Sequence, residues 1–300
     1  MRTSPVFPLA ITTVEFNDWY QTACQDCLNH HVECTELHWL LKAWTDLDRI
    51  SLQLGVTQSR SEITLKRPWQ DICQAWQRRI TERVPVQYLV GEVTWRDLQL
   101  TVSPAVLIPR PETELLVELA TQTVTPEDRQ GHWVDLGTGS GAIALGLARQ
   151  CPDIDVIGVD CSADAVAIAE ENARRNQIEN ATFVVGNWWQ PIQEFKGQIQ
   201  GLVTNPPYIP TGELPQLQPE VFNHEPLLAL DGGETGLAVI EQLLATSPDY
   251  LASGSFMGIE VMAGQAPWVA QRMAALGRYQ QIQIYRDLAG IERFVVACTV

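Results

Sequence analysis

The stretch HWVDLGTGSGAIALGLARQ (132–150) decides the fold. A short apolar run leads into glycines at 137, 139 and 141, and an apolar pattern of helical spacing follows, so the segment reads as strand, tight loop, helix. The same rhythm continues outward. DVIGVD (155–160), ATFVVG (181–186), GLVTN (201–205), GSFMGIEV (254–261), QIQIYRD (281–287) and RFVVACTV (293–300) are short runs rich in β-branched residues. Helical patterns such as SADAVAIAEENARRNQ (162–177) lie between most of them. This alternation predicts an α/β domain with a doubly wound, mostly parallel sheet of seven strands covered on both faces. The last two strands have no helix between them, so they should pair antiparallel through LAGIE (288–292).

Upstream the pattern is helical. From Val14 to about Arg83, including ELHWLLKAWTDLDRISLQLG (36–55) and PWQDICQAWQRRITERV (68–84), apolar residues recur three or four apart with no strand-like alternation. A small helical bundle is therefore expected over 1–84. Pro85 closes it, and VQYLVGEVTWRDLQLTVSP (86–104) alternates about a possible turn at 95–97. That predicts a β-hairpin linker over 85–104, with the α/β domain taking 105–300.

The 300 residues are 45% apolar, enough for a substantial core. Lys and Arg number 20 against 36 Asp and Glu, a formal charge of −16. That sign opposes binding to phosphates, and no nucleic-acid partner is expected. The apolar run near the N-terminus is broken by Pro8, and no later stretch reaches membrane-spanning length, so a cytoplasmic protein without membrane contact is expected. Seven cysteines suit free thiols in a reducing compartment. Cys24, Cys27, His30, His31, Cys34 and His38 resemble zinc-ligand spacing. Phe16, Tyr20, Cys24, Cys27 and His31 also recur at helical spacing, which makes the thiols part of a buried helix face. The second reading is preferred, and no metal is expected.

The glycine loop is open to two ligands. Its backbone can turn sharply and approach a ligand closely, and the following helix presents free N–H groups. Gly137, Gly139 and Ala142 also fit a dinucleotide fingerprint, Asp160 sits where a ribose-binding acid belongs in either case, and a glycine turn without a ligand is the plain alternative. Asp135 favours S-adenosylmethionine. A carboxylate two residues before the first glycine attracts an amino-acid ammonium and repels a diphosphate.

TNPPYIP (204–210) closes the fourth strand with two prolines, which exclude a helix and leave backbone carbonyls free. In an open parallel sheet this motif and the glycine loop share one ligand crevice. A planar amide or amino nitrogen is a poor nucleophile. Two hydrogen bonds from it, to the Asn205 side-chain oxygen and the Pro206 carbonyl, would orient it, and Tyr208 can stack on its plane. Asn205, Pro206 and Tyr208 are thus the candidate catalytic residues, and 205–208, including Pro207, the acceptor site. A Pro-Pro turn that only caps the strand is the structural alternative.

DLGTGSG (135–141), a VD pair at 159–160 and NPPY (205–208) resemble the class I methyltransferases that modify planar nitrogens. PVQYLVGE (85–92), LIPRPETELLVE (107–118), EPLLALDGGETGL (225–237) and RDLAGIER (286–293) narrow the resemblance to the peptide chain release factor glutamine methyltransferases. It spans about Pro85 to the C-terminus, and the bundle has the size of that family's N-terminal domain. The resemblance implies methyl transfer to the glutamine of the Gly-Gly-Gln motif in release factors, with the bundle gripping the protein substrate; a monomer is expected, although nothing in the sequence itself speaks to oligomeric state. It assigns Gly137, Thr138, Gly139, Ser140, Gly141 and Asp160 to the amino-acid and ribose parts of the cofactor. Asn187 and Trp188 would flank the adenine, although the family usually has Asp where this chain has Asn187. Arg110, Thr113 and Glu114 are expected near the pocket, or simply at a helix start. Within that last motif AGIER (289–293) replaces the family's more typical basic-acidic run, which leaves Arg293 without an assigned role. Three other functions compete: glutamine methylation of a ribosomal protein, adenine-amino methylation of nucleic acid, which would need a basic groove, and non-catalytic or NAD-dependent cofactor binding.

Overall fold

A computed structural model describes residues 9–54, 60–123 and 131–300, which fall into two units, Met1–Gly91 and Glu92–Val300. The first contains β1 (Leu9–Thr12), α1 (Thr13–Asn29), α2 (Cys34–Trp44), α3 (Arg49–Leu54), β2 (Glu62–Leu65), α4 (Trp69–Thr81) and α5 (Val86–Val90). α1 starts where the Thr12 hydroxyl accepts the Glu15 N–H at 3.2 Å. Phe16, Leu37, Leu41, Ile72 and Trp76 form the core between the helices. The buried Arg79 of α4 donates to both carboxylate oxygens of Glu36 on α2, at 2.6 and 2.7 Å. Such a two-point pair fixes α4 against α2.

Two expectations for this region need correction. It is not all helical, because β1 and β2 pair antiparallel from Leu9↔Leu65 to Thr12↔Glu62. Each strand has only four residues, too few to show a period of two, although Ile63 and Leu65 are buried while their neighbours are exposed. The hairpin expected over 85–104 starts only at Glu92, and residues 86–90 are not part of it. They form α5, which starts behind Pro85 and ends at Gly91 with φ 85°, a left-handed stop that glycine accommodates. Cys27 is buried and Cys24 and Cys34 half-buried, and all the cysteines are free thiols. Among the described residues no cluster of His, Cys, Asp and Glu is arranged to hold a metal ion.

The second unit opens with the hairpin β3 (Glu92–Trp95) and β4 (Leu98–Thr101), followed by α6 (Glu114–Thr123). Then come β5 (Gly131–Leu136), α7 (Ala142–Gln150), β6 (Ile154–Asp160), α8 (Ala163–Arg175), β7 (Ala181–Val185) and β8 (Ile199–Thr204). After α9 (Pro219–His224) and α10 (Ala238–Thr246) the chain ends with β9 (Leu251–Glu260), α11 (Ala266–Leu276), β10 (Tyr279–Arg286) and β11 (Glu292–Thr299). The seven long strands lie in the order β10-β11-β9-β8-β5-β6-β7. Six run in the same direction, and β11 lies antiparallel between β9 and β10, as its short connection requires. Val134, Leu202, Met257, Ile259 and Val295 fill the central core. Among the described residues no helix is long and apolar enough to cross a membrane.

The path of the chain locates the site. From β5 it moves through β6 to the edge at β7, then returns to β8 on the opposite flank of β5. Successive connections therefore leave in opposite directions between β5 and β8, the place where open α/β sheets bind ligands. The two strands pair in register up to Leu136↔Thr204. The residues that follow, Gly137 and Asn205, thus emerge side by side.

Candidate active site

The glycine loop is fastened to β6. Gly137 and Thr138 both donate their N–H to the Val159 carbonyl, at 2.9 and 3.0 Å, and the Gly139 N–H donates to Asp160 Oδ2 at 2.9 Å. Asp160 Oδ1 accepts the Ser162 N–H at 2.9 Å, so one carboxylate sets both the loop and the start of α8. Gly139 has φ +54° with open space where a Cβ would point, which leaves its backbone free to approach a ligand. Gly141 has φ +82°, and a Cβ there would lie 3.1 Å from Ala169 and 3.3 Å from the Phe183 ring.

Asp135 lies beneath this loop and does not line the cavity. Its Oδ2 accepts from the Thr138 hydroxyl at 2.7 Å and the Ala144 N–H at 3.1 Å, while the buried Oδ1 has no partner. Burial raises its carboxyl to about 7, against the lowering effect of those two hydrogen bonds. The expected direct contact with an ammonium thus gives way to support of the loop from behind.

A cavity of about 410 Å³ opens at the carboxyl ends of the strands, within the range of small-molecule sites. Of the residues singled out from sequence, Gly137, Gly139, Asp160, Asn187, Trp188, Asn205 and Pro207 line it. Thr138, Ser140, Gly141, Pro206 and Tyr208 do not. Thr138 and Ser140 are buried within the loop, and the Ser140 carbonyl accepts from Asn172 at 2.9 Å. The wall also includes Val106, Ser162, Asp164, Leu228 and Asp231, none of which the sequence reading selected. Among the described residues three acids and no Lys or Arg line this space. That chemistry suits a cationic sulfonium and ammonium and opposes a diphosphate, so the residues present fit S-adenosylmethionine and not a dinucleotide.

Beside the glycine loop, Asn205 follows β8. Its Nδ2 donates to Thr113 Oγ1 at 3.4 Å, and the Thr113 hydroxyl donates to Glu260 Oε2 at 2.6 Å. Burial raises the Glu260 carboxyl to about 7, opposed by its bond to Thr113. Burial also raises the Tyr208 phenol, and the nearby Glu260 adds to the effect. The backbone after Tyr208 is held from behind. Gln265 Nε2 donates to the Tyr208 carbonyl at 2.9 Å, Ile209 donates to the Leu230 carbonyl, and Gly232 donates to the Ile209 carbonyl. A Cβ on Gly232 would lie 2.8 Å from Tyr208 Cα, so glycine is needed for this close approach. Arg110 donates to Glu225 Oε1 at 2.6 Å, and Glu225 Oε2 accepts the Ile108 N–H at 3.2 Å. Arg293 donates to Asp287 at 2.6 Å.

The sequence matches the family model of the Methyltransferase small domain over 111–225. It is 54% identical to the release factor glutamine methyltransferase of Synechocystis sp. over 289 residues, 95% of this chain and 96% of that protein. The chain belongs to the release factor glutamine methyltransferase family. Members from Thermosynechococcus vestitus and Gloeobacter violaceus are 48% and 43% identical over 88% and 93% of this chain, and 90% and 95% of their own lengths. Among solved structures, the T. thermophilus 16S rRNA N2 G1207 methyltransferase in complex with AdoMet and guanosine shares the fold. Its TM-score is 0.51 and its identity 19%, over 70% of this chain and 50% of that one. A release factor-specific protein-(glutamine-N5) methyltransferase from Alicyclobacillus acidocaldarius is 28% identical over 67% of this chain and 99% of that one, with a TM-score of 0.40.

For this release factor glutamine methyltransferase family member, the motifs quoted from sequence now have physical tasks. PRPETE supplies Arg110 and Thr113, and EPLLALDGGETGL supplies Glu225, Gly232 and the bracing of the NPPY backbone. Glu260 and Gln265 were missed. They act across sequence separations of 147 and 57 residues, which no local pattern reveals.

Proposed function

We propose that this enzyme transfers a methyl group from S-adenosylmethionine to the side-chain amide nitrogen of the glutamine in the Gly-Gly-Gln motif of release factors. The observation that carries this reading is that Gly137 and Asn205, which follow the in-register pair Leu136↔Thr204, line one acidic cavity. The glycine loop and Asp160 hold the amino-acid and ribose parts of the cofactor, and Asn187 and Trp188 flank its adenine. Trp188 is well placed for this, since its ring lies 3.7 Å from where a Cβ of Gly137 would be. When bound, the cofactor supplies an electrophilic methyl group attached to sulfur.

The protein's own task is to aim a weak nucleophile. The cavity wall ends at Asn205 and Pro207, and the acceptor contacts sit beside it: the Asn205 Oδ1 and the Pro206 carbonyl accept the two N–H bonds of the glutamine amide, and Tyr208 stacks on the amide plane. These contacts turn the nitrogen lone pair toward the cavity and increase its electron density. Positioning of this kind supplies much of the rate where no strong base is needed. On transfer the amide nitrogen would exchange one N–H proton, released to water, for the methyl that the bound cofactor supplies.

In this reading the helical unit over 1–84 recognises the protein substrate, and the enzyme acts in the cytoplasm as a monomer. Neither nucleic acid nor membrane takes part, in keeping with the charge of −16. Incubating the purified protein with S-adenosylmethionine and a release factor, then locating added mass by peptide mass spectrometry, tests the reading. A single methyl on the Gly-Gly-Gln glutamine is expected, and an unmodified glutamine with methylation elsewhere would refute it.

A further inference from the structure

Asn205 needs more than its position to act as an acceptor. Its carboxamide has a donor end and an acceptor end of nearly the same shape, and only the acceptor end can receive an N–H from the substrate. A half-turn of the side chain would present an NH₂ to another NH₂. Some partner must fix which end faces the cavity.

We infer that Thr113 and Glu260 are positioning residues that lock the Asn205 carboxamide with its oxygen toward the acceptor site. The hydroxyl of Thr113 has one proton, and that proton goes to Glu260 Oε2 over 2.6 Å. Thr113 Oγ1 is then left as an acceptor toward Asn205, at 3.4 Å, and only the Nδ2 end can meet it. The direction of the whole relay is set by Glu260, since an ionised carboxylate accepts and never donates. Thr113 and Glu260 are almost fully buried, so water does not readily replace either bond. This relay deepens the function proposed above and rests on that reading for its catalytic consequence.

A switch with pH follows. Once protonated, Glu260 can donate to Thr113, Thr113 can donate onward, and Asn205 is released to turn its oxygen away from the substrate. The groups facing Glu260 are Glu112 and Arg110 from the segment before α6, Thr113 itself, Tyr208 after β8 and Arg293 on β11. Burial and Glu112 raise its carboxyl to about 7, while Thr113 and the two arginines oppose them. The kcat of the wild-type enzyme is therefore expected to fall as the pH drops through about 7.

The test compares Thr113→Val, Thr113→Ser and Glu260→Gln with wild type, measuring kcat and KM for a release factor across pH together with S-adenosylmethionine binding by calorimetry. Leaving a buried polar group without its hydrogen-bonding partner costs about 10- to 100-fold. Thr113→Val should show that loss in kcat with cofactor affinity unchanged. Thr113→Ser, which keeps the hydroxyl, should recover to within about threefold, and Glu260→Gln should abolish the fall near pH 7. Wild-type kcat and pH profile in Thr113→Val, or equal damage from Thr113→Ser, would overturn the inference. A second measurement does not depend on activity: in ¹⁵N-labelled wild-type protein, the Asn205 side-chain NH₂, assigned by its absence from Asn205→Ala, should show a nuclear Overhauser contact to the Thr113 methyl. Absence of that contact would overturn the relay. Its presence in a protein that leaves the release factor glutamine unmodified would support the relay and refute the function on which its catalytic consequence rests.

Discussion

Asp160 carries three burdens at once: it accepts from Gly139, accepts from Ser162 and faces the cavity. Asp160→Ala should weaken S-adenosylmethionine binding by about 10- to 100-fold, the effect of losing hydrogen bonds to a charged group, as read by calorimetry. Gly141 offers a stability test. Its φ of +82° and the 3.1 Å approach to Ala169 mean that Gly141→Ala combines backbone strain with crowding. A loss of about 2 kcal/mol in urea unfolding is expected. Asp135 gives a pH test with a definite sign. Its folded value, about 7, lies above its ordinary one, so the contribution to stability is full below about pH 4 and is lost as pH rises toward 7. In denaturation of the cofactor-free protein, Asp135→Asn should gain stability relative to wild type between pH 4 and 8, and a constant difference would contradict the buried, unpaired carboxylate.

Elements are placed by a few long-range ties. Arg110 meets the almost fully buried Glu225 and joins the segment before α6 to the segment after α9. Removing one partner leaves a charge without its counter-ion, so Arg110→Ala should cost about 3 kcal/mol, measured by chemical denaturation. These ties mark the limit of what sequence discloses. The strands around the glycine loop were readable because each run is β-branched and bounded by turn residues, and the antiparallel end was readable because LAGIE is too short for a crossover. The pair β1 and β2 was not, because four residues show no period, and α5 was masked by apolar residues that also suit a strand. Asn205 was legible from its prolines. Its partners Thr113 and Glu260 come from distant strands and loops, and only the closed sheet brings them together.

At the scale of the whole molecule, topology and charge act together. The reversal of chain direction between β5 and β8 fixes where a ligand binds, and the acids around that place fix the sign of the ligand it accepts. Of the residues singled out from sequence, the sheet brings seven to the cavity wall and leaves Asp135, Thr138, Ser140, Gly141, Pro206 and Tyr208 off it. The distinction between lining a site and shaping it depends on which way each side chain leaves its backbone, and spacing alone does not record that. Asn205 belongs to the acceptor side of the proposed reaction. Asn205→Ala tests it most directly: the variant should bind S-adenosylmethionine with wild-type affinity while glutamine methylation of the release factor falls by at least about 100-fold. Methylation at the wild-type rate, or loss of activity explained wholly by loss of cofactor binding, would contradict the account.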